Sequence, residues 1–177
     1  AAAIARASMA LDTSQEDWDD VMDVNAGGTF LCCQAFGRHM IAQRYGKIVN
    51  FSSISAYIGY PEYTSYNVSK AAVVGITQSL AVEWARHNVW VNAVAPASVR
   101  TPMTQYVWGD PELYRSAQSR LLMGRWAEPE EFVGVVLFLA SPASDWITGV
   151  TLLVDGGCLV DGRWGKHLPS ERDANQA

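Results

Sequence analysis

Apolar and polar positions along this chain fall into two kinds of run. Short, mostly apolar runs at Lys47-Ile48-Val49-Asn50-Phe51, at Val89-Trp90-Val91-Asn92-Ala93-Val94 and at Val150-Thr151-Leu152-Leu153-Val154 predict three buried strands. Between them the apolar residues recur at helical spacing. Ser14-Gln15-Glu16-Asp17 reads as a helix start, with Ser14 as N-cap and acids in the first turn. The helical pattern then runs from about Trp18 to Gln43 and stops at Gly46. Residues 54 to 62, rich in Ser, Gly and Pro, predict a loop. A second long helix is predicted from about Tyr63 to Arg86, and its small residues Ala71, Ala72, Gly75 and Ser79 would let another backbone come close. Pro96 stops the second strand. The stretch after it, punctuated by Pro102, Gly109 and Pro111, is irregular and holds a short helix from Pro111 to about Leu121. A further helix runs from Glu128 to Ala140, with Pro129 in its first turn. Asp155-Gly156-Gly157 turns the chain after the third strand.

Strands alternating with long helices define an α/β fold with a parallel sheet. Strands that are apolar on both sides suit a sheet covered by helices on both faces. Three strands alone leave the first with an open edge, so the pattern predicts a partial chain whose missing elements lie upstream. Residues 1–160 read as part of one domain and residues 161–177 as a polar tail.

Composition narrows the function classes. Thirteen Lys and Arg against eighteen Asp and Glu give a net charge of −5, which argues against a nucleic-acid partner. No apolar run approaches the roughly 20 residues of a membrane span, and no signal-peptide pattern opens the chain. Cys32, Cys33 and Cys158 make an odd count without a C-x-x-C pair, which predicts neither a disulfide framework nor a zinc site. Adjacent Cys32 and Cys33 read as small buried hydrophobes. His39, His87 and His167 lack metal-ligand spacing, so no metal is expected. A cytoplasmic setting follows as the default. Charged residues are only 18% of the chain, and a surface short of charge points to an oligomer.

The candidate chemistry lies at Tyr66-Asn67-Val68-Ser69-Lys70, where a phenol and an ammonium stand at i and i+4 on one helix face. An isolated Y-x-x-x-K arises often from ordinary surface pairing. Here, however, Ser53 lies at the C-terminal end of a predicted strand, where open α/β sheets place their ligands. Hydroxyl, phenol and ammonium can converge there. A phenol acting as a base near neutral pH needs its pKa depressed by about 3 units, and a cation one turn away is the obvious source. Such a pair suits a proton moving to or from an alcohol oxygen while hydride leaves the carbon.

With Asp23-Val24-Asn25, the segment from Gly46 to Ser53, Tyr66 to Lys70, Val91 to Pro96, Thr101-Pro102-Met103 and Val154 to Gly157, the chain resembles the C-terminal two-thirds of a classical short-chain dehydrogenase/reductase. The resemblance implies a doubly wound, Rossmann-type parallel sheet of which this chain supplies only the C-terminal strands and helices. It implies Tyr66 as general acid/base, Lys70 lowering its pKa and holding the nicotinamide ribose, Ser53 bonding the substrate oxygen, and Asn25 anchoring a relay water. Pro96, Val99 and Thr101 would sit at the nicotinamide. The implied cofactor is NAD or NADP, the substrate a small alcohol or ketone, and the assembly a homotetramer formed through the two long helices. The segments Ser79 to Ala85 and Phe138 to Ser141 look most like sugar-alcohol and polyol dehydrogenases. A 3-oxoacyl carrier-protein reductase is the alternative in the same chemistry, with Arg44, Lys47 and Arg86 facing an acidic carrier. A non-catalytic, truncated interaction module is the alternative of another class.

Four departures from the family pattern bear on these expectations. The glycine-rich phosphate turn T-G-x-x-x-G-x-G is absent, as is the segment that selects NAD or NADP. Ala1-Ala2-Ala3-Ile4 stands where the family has N-N-A-G-I, and Pro96-Ala97 replaces the usual P-G. Trp18, Trp84 and Trp126 read as core or interface anchors and Trp108 as a candidate lid residue, in the segment from Met103 to Arg125 where the family places its substrate lid. Arg125 is expected to pair with Glu128, Glu130 or Glu131, and Ser52 to be structural.

Overall fold

A computed structural model of the chain describes residues 2–160, so the predicted polar tail lies outside the described residues. Strands β1 (Gly46–Phe51), β2 (Val89–Pro96) and β3 (Thr151–Val154) form a parallel sheet in the order β1-β2-β3. Gly46 to Phe51 pair in step with Val89 to Val94, and Ala93 to Pro96 with Thr151 to Val154. β2 therefore runs two residues past the predicted Val94, to Pro96, because β3 offers partners that far. Among the described residues β1 pairs on one side only, as the open-edge expectation required. What stands is a three-stranded parallel α/β sheet with flanking helices, and not a complete doubly wound sheet.

The first long helical run is not uniform. Helix α1 (Gln15–Met22), capped by the Ser14 hydroxyl accepting from Asp17 N, passes through a π turn at Asp23–Gly27 into α2 (Gly28–Gln43). Single π turns inside helices insert one extra residue and commonly mark functional positions, and Asn25 sits in this one. Helix α3 (Thr64–Trp84) lies against β2. Val89 and Val91 of β2 pack with Leu80, Ala81 and Cys33 in a core flanked by Met40, Ile48 and Trp84. Gly37 is required where α2 meets α3: a Cβ there would come within 2.5 Å of the Trp84 ring. Only one of the adjacent cysteines is buried. Cys33 faces Asn50 and Cys32 is exposed, because neighbouring positions on a helix point about 100° apart.

Past β2 the chain forms α4 (Gln105–Trp108), α5 (Pro111–Gln118) and α6 (Val133–Ala140). α4 is too short to leave a periodic signal between Pro102 and Gly109. The helix predicted from Glu128 divides into a tight 3₁₀ turn, Pro129–Phe132, held by a capping box between Glu128 and Glu131, and then α6. Two buried polar groups fix β2 and β3 to their loops. Asn92 donates to Ile147 O and accepts from Val150 N, and the Asp155 carboxylate accepts from Gly157 N and Leu159 N. Gly156 and Gly157 take positive φ of 61° and 81°, the left-handed turn that glycine adopts without strain. Among the described residues no helix is long and apolar enough to cross a membrane, and no group of side chains could hold a metal ion.

Candidate active site

The end of β1, the start of α3 and the segment after β2 enclose a cavity of about 580 Å³. Ser53, Tyr63, Tyr66, Ser98, Tyr106 and Trp126 are among its walls, and none of the residues lining it is charged. Ser53 leaves the strand in an extended conformation and caps the turn Ile54–Ala56. Its hydroxyl accepts from Ser55 N at 3.1 Å and donates to Ser55 Oγ at 3.2 Å. The Tyr66 phenol shares the cavity wall with Ser53, whose hydroxyl favours the phenolate form. Lys70, one turn along α3, is 5% exposed and donates from Nζ to Phe51 O at 3.1 Å, with its ammonium 5.6 Å from the centre of the Tyr66 ring. Ser52 is structural: its hydroxyl donates to Lys70 O at 2.9 Å and ties the strand end to α3.

The electrostatics correct one expectation. Burial pushes the Tyr66 phenol above its usual value, against the lowering from the Ser53 hydroxyl, and the neighbouring Tyr106 also holds it up. Burial likewise takes Lys70 from 10.5 down to about 8. Both groups are biased towards their neutral forms, so the ammonium does not acidify the phenol in this chain by itself. The reason is geometric as well as dielectric: Nζ is turned to the Phe51 carbonyl, and no carboxylate pairs with it among the described residues.

Asn25 is 1% exposed and its side chain is fully engaged. Its Oδ1 accepts from Ile4 N at 2.9 Å, and its Nδ2 donates to Ile4 O at 2.9 Å and to Ser69 Oγ at 3.0 Å. Ser69 in turn donates to Tyr66 O at 2.8 Å, so Asn25 joins the N-terminal segment to the backbone of the Tyr66 turn. The Asn25 carbonyl accepts from Thr29 Oγ1 at 2.7 Å. Asn25→Ala removes three hydrogen bonds, two to the half-buried Ile4 backbone and one to the buried Ser69 hydroxyl, and is expected to cost about 3 kcal/mol. Urea unfolding checks this, and a loss under about 0.5 kcal/mol would show that the clamp contributes nothing.

Pro96, Val99 and Thr101 lie on the same segment as Ala97 and Ser98 but do not themselves line the cavity. Pro96 ends β2, and Val99 bridges to Ala127. Thr101 stands at the head of the turn Pro102–Thr104, whose Thr104 hydroxyl donates to Val99 O at 2.6 Å. Trp108, the candidate lid residue, instead donates from its indole to Thr101 O at 3.1 Å and anchors α4 to that turn. Trp126 is buried as expected, stacks on Tyr114 at 5.6 Å and also forms part of the cavity wall. Arg125 pairs with Glu131 through two contacts of 2.6 and 2.8 Å, as its acidic neighbours suggested. The sequence reading missed Tyr63 and Tyr106, whose hydroxyls meet at 2.6 Å. For Tyr63 a signal existed, since it precedes Tyr66 by three residues, at the N-cap of the helix that carries it.

This architecture, with phenol, hydroxyl and buried ammonium at the carboxyl end of a parallel sheet, is that of an oxidoreductase of the classical short-chain dehydrogenase/reductase type. Residues 1–158 match the family described as enoyl-(acyl carrier protein) reductase, and the chain belongs to the short-chain dehydrogenase/reductase family. It is 42% identical over 160 residues to 2-dehydro-3-deoxy-D-gluconate 5-dehydrogenase of Escherichia coli K12, covering 90% of this chain and 63% of that protein. It is 46% identical over 161 residues to the L-tagatose-forming galactitol 2-dehydrogenase of Cereibacter sphaeroides, with the same two coverages. A crystal structure of a gluconate 5-dehydrogenase from Burkholderia cenocepacia J2315, in complex with NADP and tartrate, superposes with a TM-score of 0.88 at 35% identity, over 90% of this chain and 63% of that one. The chain thus spans somewhat under two-thirds of the length of these relatives.

Proposed function

We propose that the complete protein carrying this chain is an NAD(P)-dependent oxidoreductase that interconverts a secondary alcohol, of a polyol or sugar alcohol, and the matching ketone. The observation that carries this reading is the Ser53 hydroxyl and the Tyr66 phenol together on the wall of an uncharged cavity, backed by a buried ammonium. Lys70 has three N–H donors and uses one on Phe51 O, so two remain for a ligand. That donor set fits the hydroxyls of a nicotinamide ribose. No residue of this chain supplies the glycine-rich phosphate turn, so only the nicotinamide end is accounted for here.

When bound, the nicotinamide would accept hydride from the carbinol carbon and add positive charge beside the phenol. Ser53 positions the carbinol oxygen, and Tyr66, as phenolate, takes its proton. Lys70 holds the ribose and, together with that added charge, favours the phenolate against the burial that opposes it. Asn25 would hold a relay water at its backbone carbonyl, since its amide is committed to Ile4 and Ser69. Pro96, Val99 and Thr101 would border the nicotinamide. Association into a homotetramer is proposed through α2 and α3, whose Phe30, Leu31, Phe36, Val68 and Val82 are exposed.

The test is NAD and NADP reduction by the complete protein on a panel containing galactitol, gluconate and a 3-hydroxyacyl thioester. Turnover of the polyol above the thioester is expected. Absence of both dinucleotide binding and alcohol oxidation overturns the reading in favour of a non-catalytic module.

A further inference from the structure

We propose that Tyr63 and Tyr106 form a hydroxyl clamp that selects substrates carrying a second hydroxyl on a carbon neighbouring the reacting one. The two phenols meet at 2.6 Å, and both line the cavity that Ser53 and Tyr66 open into. Tyr63 is placed by α3, one turn before Tyr66. Tyr106 is placed by α4, from the opposite side of the cavity mouth, and lies near enough to Tyr66 to act on its phenol electrostatically.

The chemistry follows from counting donors. Each phenol has one O–H and can accept as well. Their mutual bond consumes one proton, so the pair keeps one O–H and spare lone pairs. A ligand hydroxyl, itself donor and acceptor, matches that set, whereas a methylene leaves it unpaired. A substrate whose carbinol oxygen sits between Ser53 and Tyr66 carries its next carbons towards this pair. The absence of charge among the lining residues favours a neutral polyhydroxy compound over a carboxylate. Tyr106 is 59% exposed, so water can serve the pair when a ligand lacks the hydroxyl, and the discrimination is moderate, well below that of a fully buried site.

This proposal rests on the oxidoreductase reading above, and its test separates the two. The complete protein is assayed with cis-1,2-cyclohexanediol and with cyclohexanol, which differ by a single hydroxyl. The unsubstituted protein is expected to prefer the diol by about tenfold or more in kcat/KM. Tyr63→Phe and Tyr106→Phe should each reduce that preference by about tenfold. The double substitution should reduce it little further, because either change breaks the same pair. Quenching of tryptophan fluorescence by the diol, with Trp126 in the cavity wall, gives the same comparison without turnover. If both alcohols lose kcat/KM in parallel, the pair merely fastens α4 over the cavity and the clamp is overturned. If the unsubstituted protein oxidises galactitol but prefers neither cyclohexane alcohol, the clamp alone is overturned. If it neither binds dinucleotide nor oxidises any of these alcohols, the oxidoreductase reading fails and the clamp fails with it.

Discussion

Replacing Tyr66 with phenylalanine is expected to lower turnover of a secondary alcohol by about 100- to 10,000-fold, the range for losing a positioned general acid or base. The substitution removes one oxygen and keeps the ring, so the helix face and cavity wall stay in place. Its structural effect is confined to the polar contacts of one phenol oxygen at the cavity wall, worth about 1 kcal/mol. A large kinetic loss with a small change in denaturation midpoint therefore distinguishes chemistry from folding. The pH dependence sharpens the test. Alcohol oxidation needs the phenolate, which burial opposes, so kcat should climb with pH until the phenol of the cofactor-loaded protein titrates. Ketone reduction needs the neutral phenol and should fall over the same range. Tyr66→Phe should erase both limbs. A variant within about tenfold of the native rate, still showing the pH limb, would remove Tyr66 from the acid/base role.

The elements most easily read from the sequence were those whose signals are local. Three short apolar runs marked the strands by their composition, although only β2 is buried along most of its length, while β1 is largely half-buried and β3 half-buried to exposed. The N-cap at Ser14 and the turn at Gly156-Gly157 need only their own side chains or backbone. The π turn at Asp23–Gly27 left no trace, since its one-residue insertion changes the helical period too little to see beside ordinary scatter. The convergence of Ser53, Tyr66 and Lys70 was legible from spacing and strand position. The direction of the Tyr66 shift was not, because it is set by the desolvation that three-dimensional packing creates and by where the Lys70 ammonium is aimed. Tyr106 was invisible for a related reason: α4 is too short to orient a side chain by periodicity, and its partner Tyr63 lies 43 residues away.

Lys70 provides the second large effect, one of opposite sign in stability and in function. The ammonium is buried with a single carbonyl as partner, and its pKa of about 8 lies below the unfolded value of 10.5. A lysine with a lowered folded pKa destabilises the native state wherever it must stay charged. At and below about pH 7 both states bind the proton and the full penalty applies, about 3 kcal/mol for a difference of this size. Between about pH 8 and 10.5 the unfolded chain binds more protons than the folded one, so stability rises with pH and the penalty disappears. Lys70→Met keeps an unbranched apolar stem, removes the charge and gives up one hydrogen bond worth about 1 kcal/mol. In the cofactor-free protein it is expected to stabilise the fold at pH 7 by about 2 kcal/mol and to lose that advantage above pH 10.5. The same variant should bind dinucleotide weakly and oxidise alcohols at least about 100-fold more slowly. Urea titrations at pH 7 and 10.5, paired with dinucleotide binding, test both halves. A variant that is less stable at pH 7 would show that the ammonium contributes to folding, and unaltered dinucleotide binding would show that it does not hold the cofactor. Gaining stability while losing binding is the signature of a charge kept in a dry site for the ligand it awaits.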